Sequence, residues 1–291
     1  MLLSHLSFTL RLDIWKNKMN KRIVFVPVGG LANRMRSVAS AIALAEDTVS
    51  KIQVKWFCDW ALNAPFCKLF QPIAEITEAS FLDLLISDRP RKRNFRVPAL
   101  FQKHMFRSCL YEEDMPKLMK TGFDFRQWAE DGGGYMASCY PFYIYPEGMV
   151  NRLFRPLPHI TAEVDRRCSA FNGYAIGLHV RRTDNVASIE GSPLELFFDA
   201  ADKELECHDD LCIYLATDSE EVKKQMRSRY GNRVICGENK ADRNSVAGIC
   251  DGIADMYALS RTAHVYGSFH SSFSELAAEV GNIPLTIVHK Q

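Results

Sequence analysis

At 291 residues, 47% hydrophobic and 24% charged, the chain is long enough for one large or two ordinary domains with a sizeable core. Its 36 Lys and Arg against 35 Asp and Glu leave a formal net charge of +1, too little field to attract nucleic acid, so no such partner is expected. No uninterrupted apolar run reaches ~18 residues, so no transmembrane helix is expected.

The opening segment has Ser4, His5, Ser7 and Arg11 breaking its only apolar stretch, and no small-residue cleavage site follows. That is unlike a secretory signal. Met19 reads as the natural start, with 1–18 as a non-native extension, and the expected location is cytoplasmic. Nine cysteines, at 58, 67, 109, 139, 168, 207, 212, 236 and 250, stand singly with no C-x-x-C pair. An odd count at irregular spacing suits reduced thiols. The histidines lack the i, i+4 pairing of a helical metal site, so no metal is expected.

Ile23 to Val28 is a short β-branched run that stops at Gly29-Gly30 and reads as a buried parallel strand. Leu31 to Glu46 then carries Met35, Val38, Ala39, Ile42 and Ala45 at helical spacing. Strand, glycine turn and helix open an α/β domain. Ile52 to Phe57 is a second strand. From Ala61 to about Phe154 the signal is mixed, with a Gly132-Gly133-Gly134 turn and a basic segment, Arg89 to Arg96. That segment reads most simply as a solvated loop, with an anionic acceptor or peripheral membrane contact as the alternative. The prolines of Arg155-Pro156-Leu157-Pro158 mark the expected boundary, giving domains 1–158 and 159–291.

Beyond it the alternation is regular. A helix-like stretch, Ile160 to Phe171, leads to a strand at Tyr174 to Val180, a helix at Pro193 to Glu206 and a strand at Leu211 to Thr217. There follow a helix from Ser219 to Tyr230 capped by Ser219 or Asp218, a strand at Arg233 to Cys236, and a helix at Gly248 to Ser260. The chain closes with strand His264 to Tyr266, helix Ser271 to Val280 and strand Leu285 to Val288. Such alternation predicts a doubly wound parallel sheet.

Three segments follow predicted strands, where open α/β sheets bind ligands. Gly29-Gly30-Leu31-Ala32-Asn33-Arg34 allows a tight turn before a helix N-terminus, and Asn33 and Arg34 add polar donors. It has neither G-x-G-x-x-G spacing nor the Lys-Ser/Thr of a P-loop, which sets aside a dinucleotide oxidoreductase. His179-Val180-Arg181-Arg182-Thr183-Asp184 brings two guanidiniums that suit a diphosphate, with Asp184 near enough to hold one of them; an exposed charged loop is the alternative. Asp251 to Ser260, then Tyr266 to Ser274, offers a serine-rich helix start that can cradle phosphate, cap its own helix, or both.

The combination of Gly-Gly-Leu-x-Asn-Arg, His-x-Arg-Arg-x-Asp and Ser-Ser-Phe-Ser resembles the fucosyltransferase superfamily, whose members include bacterial α-1,2-, nodulation and core α-1,6-, and protein O-fucosyltransferases. The likeness covers roughly 23–46 and 174–290 and is greatest to the α-1,6 branch. It implies two Rossmann-like domains facing across a cleft, the GT-B arrangement, and an inverting, metal-independent transfer of fucose from GDP-fucose to a glycan acceptor. It implies no cofactor besides that sugar-nucleotide substrate. By resemblance Arg181 and Arg182 hold the pyrophosphate, His179 and Asp255 lie near guanine and ribose, and Ser271 and Ser272 bind phosphate. Glu190 is the candidate base, one residue beyond the family position, which Ile189 occupies. Gly29, Gly30, Asn33 and Arg34 would face the donor from the other domain. The absence of an Asp-x-Asp motif fits two fixed arginines replacing a metal. A transferase of another nucleotide sugar, or a non-catalytic nucleotide-binding homologue, are the competing functions.

Overall fold

The computed structural model describes residues 22–83, 97–183, 186–239, 242 and 244–290, without the side chains of 97–100. The basic segment 89–96, Asp184 and the opening 1–21 lie outside the described residues. The chain divides into two compact units, Met1–Ala61 with Pro72–Leu153, and Leu62–Gln71 with Phe154–Gln291.

Unit 1 carries strands β1 (Arg22–Pro27), β2 (Lys51–Trp56), β3 (Ile76–Glu78), β4 (Cys109–Leu110) and β5 (Tyr135–Ser138). They form one parallel sheet in the order β3-β2-β1-β5-β4. Burial of Ile23 through Val26 on both faces explains why β1 is apolar without alternation. Helix α1 (Leu31–Asp47) packs close to the sheet through small residues, with Ala32, Ser37, Ala39, Ser40 and Ala41 all buried. The remaining helices are short: α2 (Val97–Met105), α3 (Met115–Lys120), α4 (Phe125–Glu130) and α5 (Met149–Leu153).

Unit 2 opens with α6 (Pro158–Cys168) and holds strands β6 (Ala175–Val180), β7 (Cys212–Thr217), β8 (Val234–Cys236), β9 (His264–Ser268) and β10 (Leu285–Val288). All pair in parallel, in the order β10-β9-β6-β7-β8. Between them lie α7 (Val186–Gly191), α8 (Leu194–Cys207), α9 (Glu220–Tyr230), α10 (Val246–Leu259) and α11 (Ser272–Gly281). The expected α/β class is therefore what the structure has, twice over. β6 and β7 are buried at every position, as central strands covered on both faces must be. Gly267 of β9 lets α11 come in close, since a Cβ there would stand 2.3 Å from the Ser274 hydroxyl.

Residues 62–71 belong to unit 2 although they lie far upstream of it in the sequence. Phe66, Phe70 and Phe154 form an aromatic cluster, with Phe70 and Phe154 centroids 5.3 Å apart, both fully buried. Backbone bonds from Gln71 to Arg155 and from Leu157 to Leu69 fix the segment there.

Candidate functional site

In both sheets the chain runs outward from the first strand in one direction and later returns to its other side. Such a switch point opens a crevice at the carboxyl ends of the two strands beside it. In unit 2 these strands are β6 and β9, whose carboxyl ends at His179–Val180 and Ser268 run into the segments 181–183 and 269–272. The second and third sequence motifs therefore meet.

His179 is 7% exposed, its Nδ1 lies 3.3 Å from Ser271 Oγ, and its ring packs 4.7 Å from that of Phe273. Ser271 is the first residue before α11 and is itself buried, while Ser272 is half-buried. Ser268 ties the two strands together, its hydroxyl donating to the His179 carbonyl at 3.0 Å and accepting from the Arg181 amide at 3.1 Å.

The arginine loop is held equally firmly from β7. Thr217 Oγ1 donates to the Val180 carbonyl at 2.7 Å. Asp218 Oδ1 accepts from the Arg182 amide at 2.7 Å, and Oδ2 accepts from the Thr183 hydroxyl at 2.7 Å and its amide at 3.3 Å. The Arg182 guanidinium, half-buried, donates to the carbonyls of Arg181 and Ser192, both at 2.7 Å, and lies 5.9 Å from the Phe197 ring. Burial lowers its pKa, against the opposing charges of Asp218 and Glu195. Glu190 is exposed on α7, a helix secured by the Ser188 hydroxyl donating to the Phe269 carbonyl.

Beside this loop is a small recess lined by Thr217, Lys223, Asn239, Asp251 and Asp255, with Gly252 leaving open space on its own stretch of wall. Thr217 belongs to both features. Behind the recess Arg167, 1% exposed, is surrounded by acceptors. Its Nη1 donates to Asp255 Oδ1 at 2.6 Å and to Tyr214 Oη at 3.2 Å, its Nε donates to Glu163 at 2.7 Å, and its Nη2 meets Asp251. Tyr214 donates to the same Asp255 oxygen at 2.6 Å, and Asn239 donates to Asp251 at 3.2 Å. Burial pushes the Asp255 carboxyl up to about 6, with Arg167 and Tyr214 pulling the other way. The arrangement is a pair of carboxylates fixed on a recess wall, able to accept from a ligand that shows adjacent N–H groups.

Sequence reading missed Arg167, Tyr214, Asp218, Lys223 and Asn239. Asp218 carried a signal, as one of two candidate caps for the following helix. Ser219 takes that role, accepting from the Val222 amide.

In unit 1 the switch point lies between β1 and β5. Gly29 there has φ +84°, the left-handed region where a Cβ is strained, and Gly30 precedes α1. Asn33 is half-buried, with its side chain against Gly29. Arg34 is fully buried. Its Nη2 pairs with Asp59 at 2.7 Å, Nη1 donates to the Phe57 carbonyl at 2.5 Å, and Nε donates to the Gly29 carbonyl at 2.8 Å. Expected to face a ligand, this guanidinium is instead enclosed within its own unit and pairs with a nearby carboxylate. Burial and Glu112 push the neighbouring Cys139 thiol up to about 12, so it supplies no thiolate at neutral pH.

Among the described residues no group of three metal-ligating side chains occurs, and no helix is long and apolar enough to cross a membrane.

No protein-family model matches the sequence. Solved structures do match over most of the chain. NodZ α-1,6-fucosyltransferase, known from Bradyrhizobium, in crystals soaked with GDP-fucose, superposes with a TM-score of 0.63 at 19% identity, covering 89% of this chain and 92% of that one. A mutant of Arabidopsis thaliana FUT1 in complex with GDP gives 0.61 at 16% identity, covering 93% and 71%. POFUT1 in complex with GDP gives 0.54 at 13% identity, covering 93% and 99%. What these likenesses establish is the fold: the α/β fold of this chain is the one seen in fucosyltransferases.

Proposed function

We propose that the protein is a glycosyltransferase that moves fucose from GDP-fucose to a glycan acceptor, with inversion and without a metal. The observation that carries this reading is the carboxylate-lined recess beside the arginine loop of unit 2. Guanine offers an N1–H and an adjacent exocyclic amino group on one edge, and Asp251 and Asp255 present acceptors of the matching kind. Adenine and uracil lack that pair of donors, so neither base offers the same two-point match to the two carboxylates. GDP and GDP-fucose are the ligands named for the fucosyltransferase structures of this fold.

In this reading the acceptor hydroxyl attacks the anomeric carbon of fucose as the bond to the diphosphate oxygen breaks. Arg181 and Arg182, with the α11 N-terminus at Ser271 and Ser272, stabilise the charge that develops on departing GDP. Fixed cations then do what a metal does in other transferases. Glu190 is the candidate for the acceptor's proton, and unit 1 is the acceptor side. The second reading, nucleotide binding without transfer, has one observation in its favour: Arg182 is already bonded to two carbonyls of its own unit.

The test is a thermal-shift and calorimetric panel of GDP, GDP-fucose, UDP and ADP, each with and without EDTA. GDP and GDP-fucose should stabilise by about 2.7 kcal/mol at ~100-fold their dissociation constants and be indifferent to chelator. A preference for UDP, or loss of binding with EDTA, sinks the reading. Binding of GDP-fucose with no turnover over a panel of glycans favours the second one.

A further inference from the structure

β6 and β7 are adjacent parallel strands, and their register sets Val180 opposite Thr217. The next residues on each side, Arg181 and Asp218, therefore leave the sheet together. An aspartate at that point ordinarily caps the helix that follows. Here Ser219 caps α9, and the Asp218 carboxylate is left to reach across to the arginine loop.

Two successive amides that point the same way, those of Arg182 and Thr183, form a concave donor pair of the kind that attracts anions. Asp218 fills it from within, one oxygen on each amide, and its second oxygen also takes the Thr183 hydroxyl. The same loop is tied on its other side by Ser268.

We propose that Asp218 is the positioning residue of the arginine loop: its carboxylate occupies the amide pair at 182–183, fixes the main chain that carries both guanidiniums, and leaves the donor diphosphate to be met by side chains rather than by those amides. The role rests on the reading of the loop as a diphosphate site. Asp218 need not touch the donor. Its effect comes through the loop's geometry, where a displacement of about 1 Å is enough to cost ~100-fold in rate.

The test compares the whole protein with D218A, D218N and T183V, and with S219A as a purely structural comparator on the adjacent residue. Amide hydrogen exchange at Arg182 and Thr183, followed by NMR, reads the clamp directly. D218A should lose protection at both amides, weaken GDP binding by ~10-fold, and lower kcat by a further ~10- to 100-fold. D218N keeps one oxygen acceptor and should fall between D218A and wild type in both readouts. T183V removes only the hydroxyl bond and should change turnover by less than ~10-fold. S219A should lower Tm while leaving GDP affinity and kcat as in wild type. Wild-type exchange in D218A, or wild-type GDP affinity and kcat in both Asp218 variants, overturns the proposal. If wild type itself fails to bind GDP, the diphosphate role is overturned with the donor reading, and the exchange data still decide whether Asp218 holds the loop.

Discussion

Each unit places an arginine just past the end of its first strand, and the two fare differently. Arg34 of unit 1 sits in the first turn of α1 with every donor nitrogen engaged by Gly29, Phe57 and Asp59, under 0% exposure. Arg181 and Arg182 of unit 2 stand on a loop whose main chain is anchored by Ser268 and Asp218, while both side chains remain half-buried at the surface. In the first case the side chain braces the backbone. In the second, Ser268 and Asp218 brace the main chain, and the half-buried Arg182 guanidinium adds bonds to the Arg181 and Ser192 carbonyls. A motif at a strand end therefore does not declare its role; what does is how completely the protein itself encloses the guanidinium and pairs its charge.

The largest effect that could break this contrast is on stability. Arg34→Ala leaves Asp59 buried without its partner and should cost about 3–5 kcal/mol. Chemical denaturation should show that loss, while calorimetry on the folded protein finds GDP affinity unchanged. A stable R34A protein that binds GDP poorly would erase the distinction between the two arginines.

Arg182→Ala should do the reverse. Loss of a cation opposite the developing diphosphate charge should lower kcat by ~100- to 1000-fold. The Tm should move far less than for R34A, because the Arg182 guanidinium is half-exposed and bonds only to neutral carbonyls. Near-normal turnover in R182A would make both arginines structural.

The smallest effect sharpens the chemistry of the recess. With its pKa raised to about 6, Asp255 keeps its proton below that value and is anionic above it. An acceptor for base N–H groups is then lost as pH falls, so GDP should bind ~10-fold more weakly at about pH 5 than at about pH 7.5. Titration calorimetry across that range checks the sign, and D255N should flatten the dependence. Binding that strengthens on acidification would place the base elsewhere.

The second half of the chain was legible because its elements are long enough to carry a period and are punctuated by ordinary turn chemistry. Leu285–Val288 and Glu220–Tyr230 with its Ser219 cap lie where the pattern puts them. Residues 61–154 were not legible, and the lengths explain it. β4 has two residues, β3 has three, and α3 and α4 have six each. None of these would persist alone; tertiary contacts create them. Within the candidate site the bonds that decide each role are nonlocal. Asp59 lies 25 residues from Arg34, Asp218 lies 36 from Arg182, and Asp255 lies 88 from Arg167. Local pattern can name a charged residue, but it cannot say which partner will claim it.

The upstream origin of residues 62–71 has a consequence for anyone dissecting the protein. A fragment beginning at Phe154 contains every strand of the second sheet and looks complete on paper. It would still lack Phe66, Leu69 and Phe70, so Phe154, fully enclosed in the intact chain, would be left bare together with the seat of two more aromatic rings. During synthesis the same ten residues leave the ribosome long before their sheet exists and must wait for it. Unit 2 should therefore be the last to close, and expression of either half alone should yield aggregation rather than a working module.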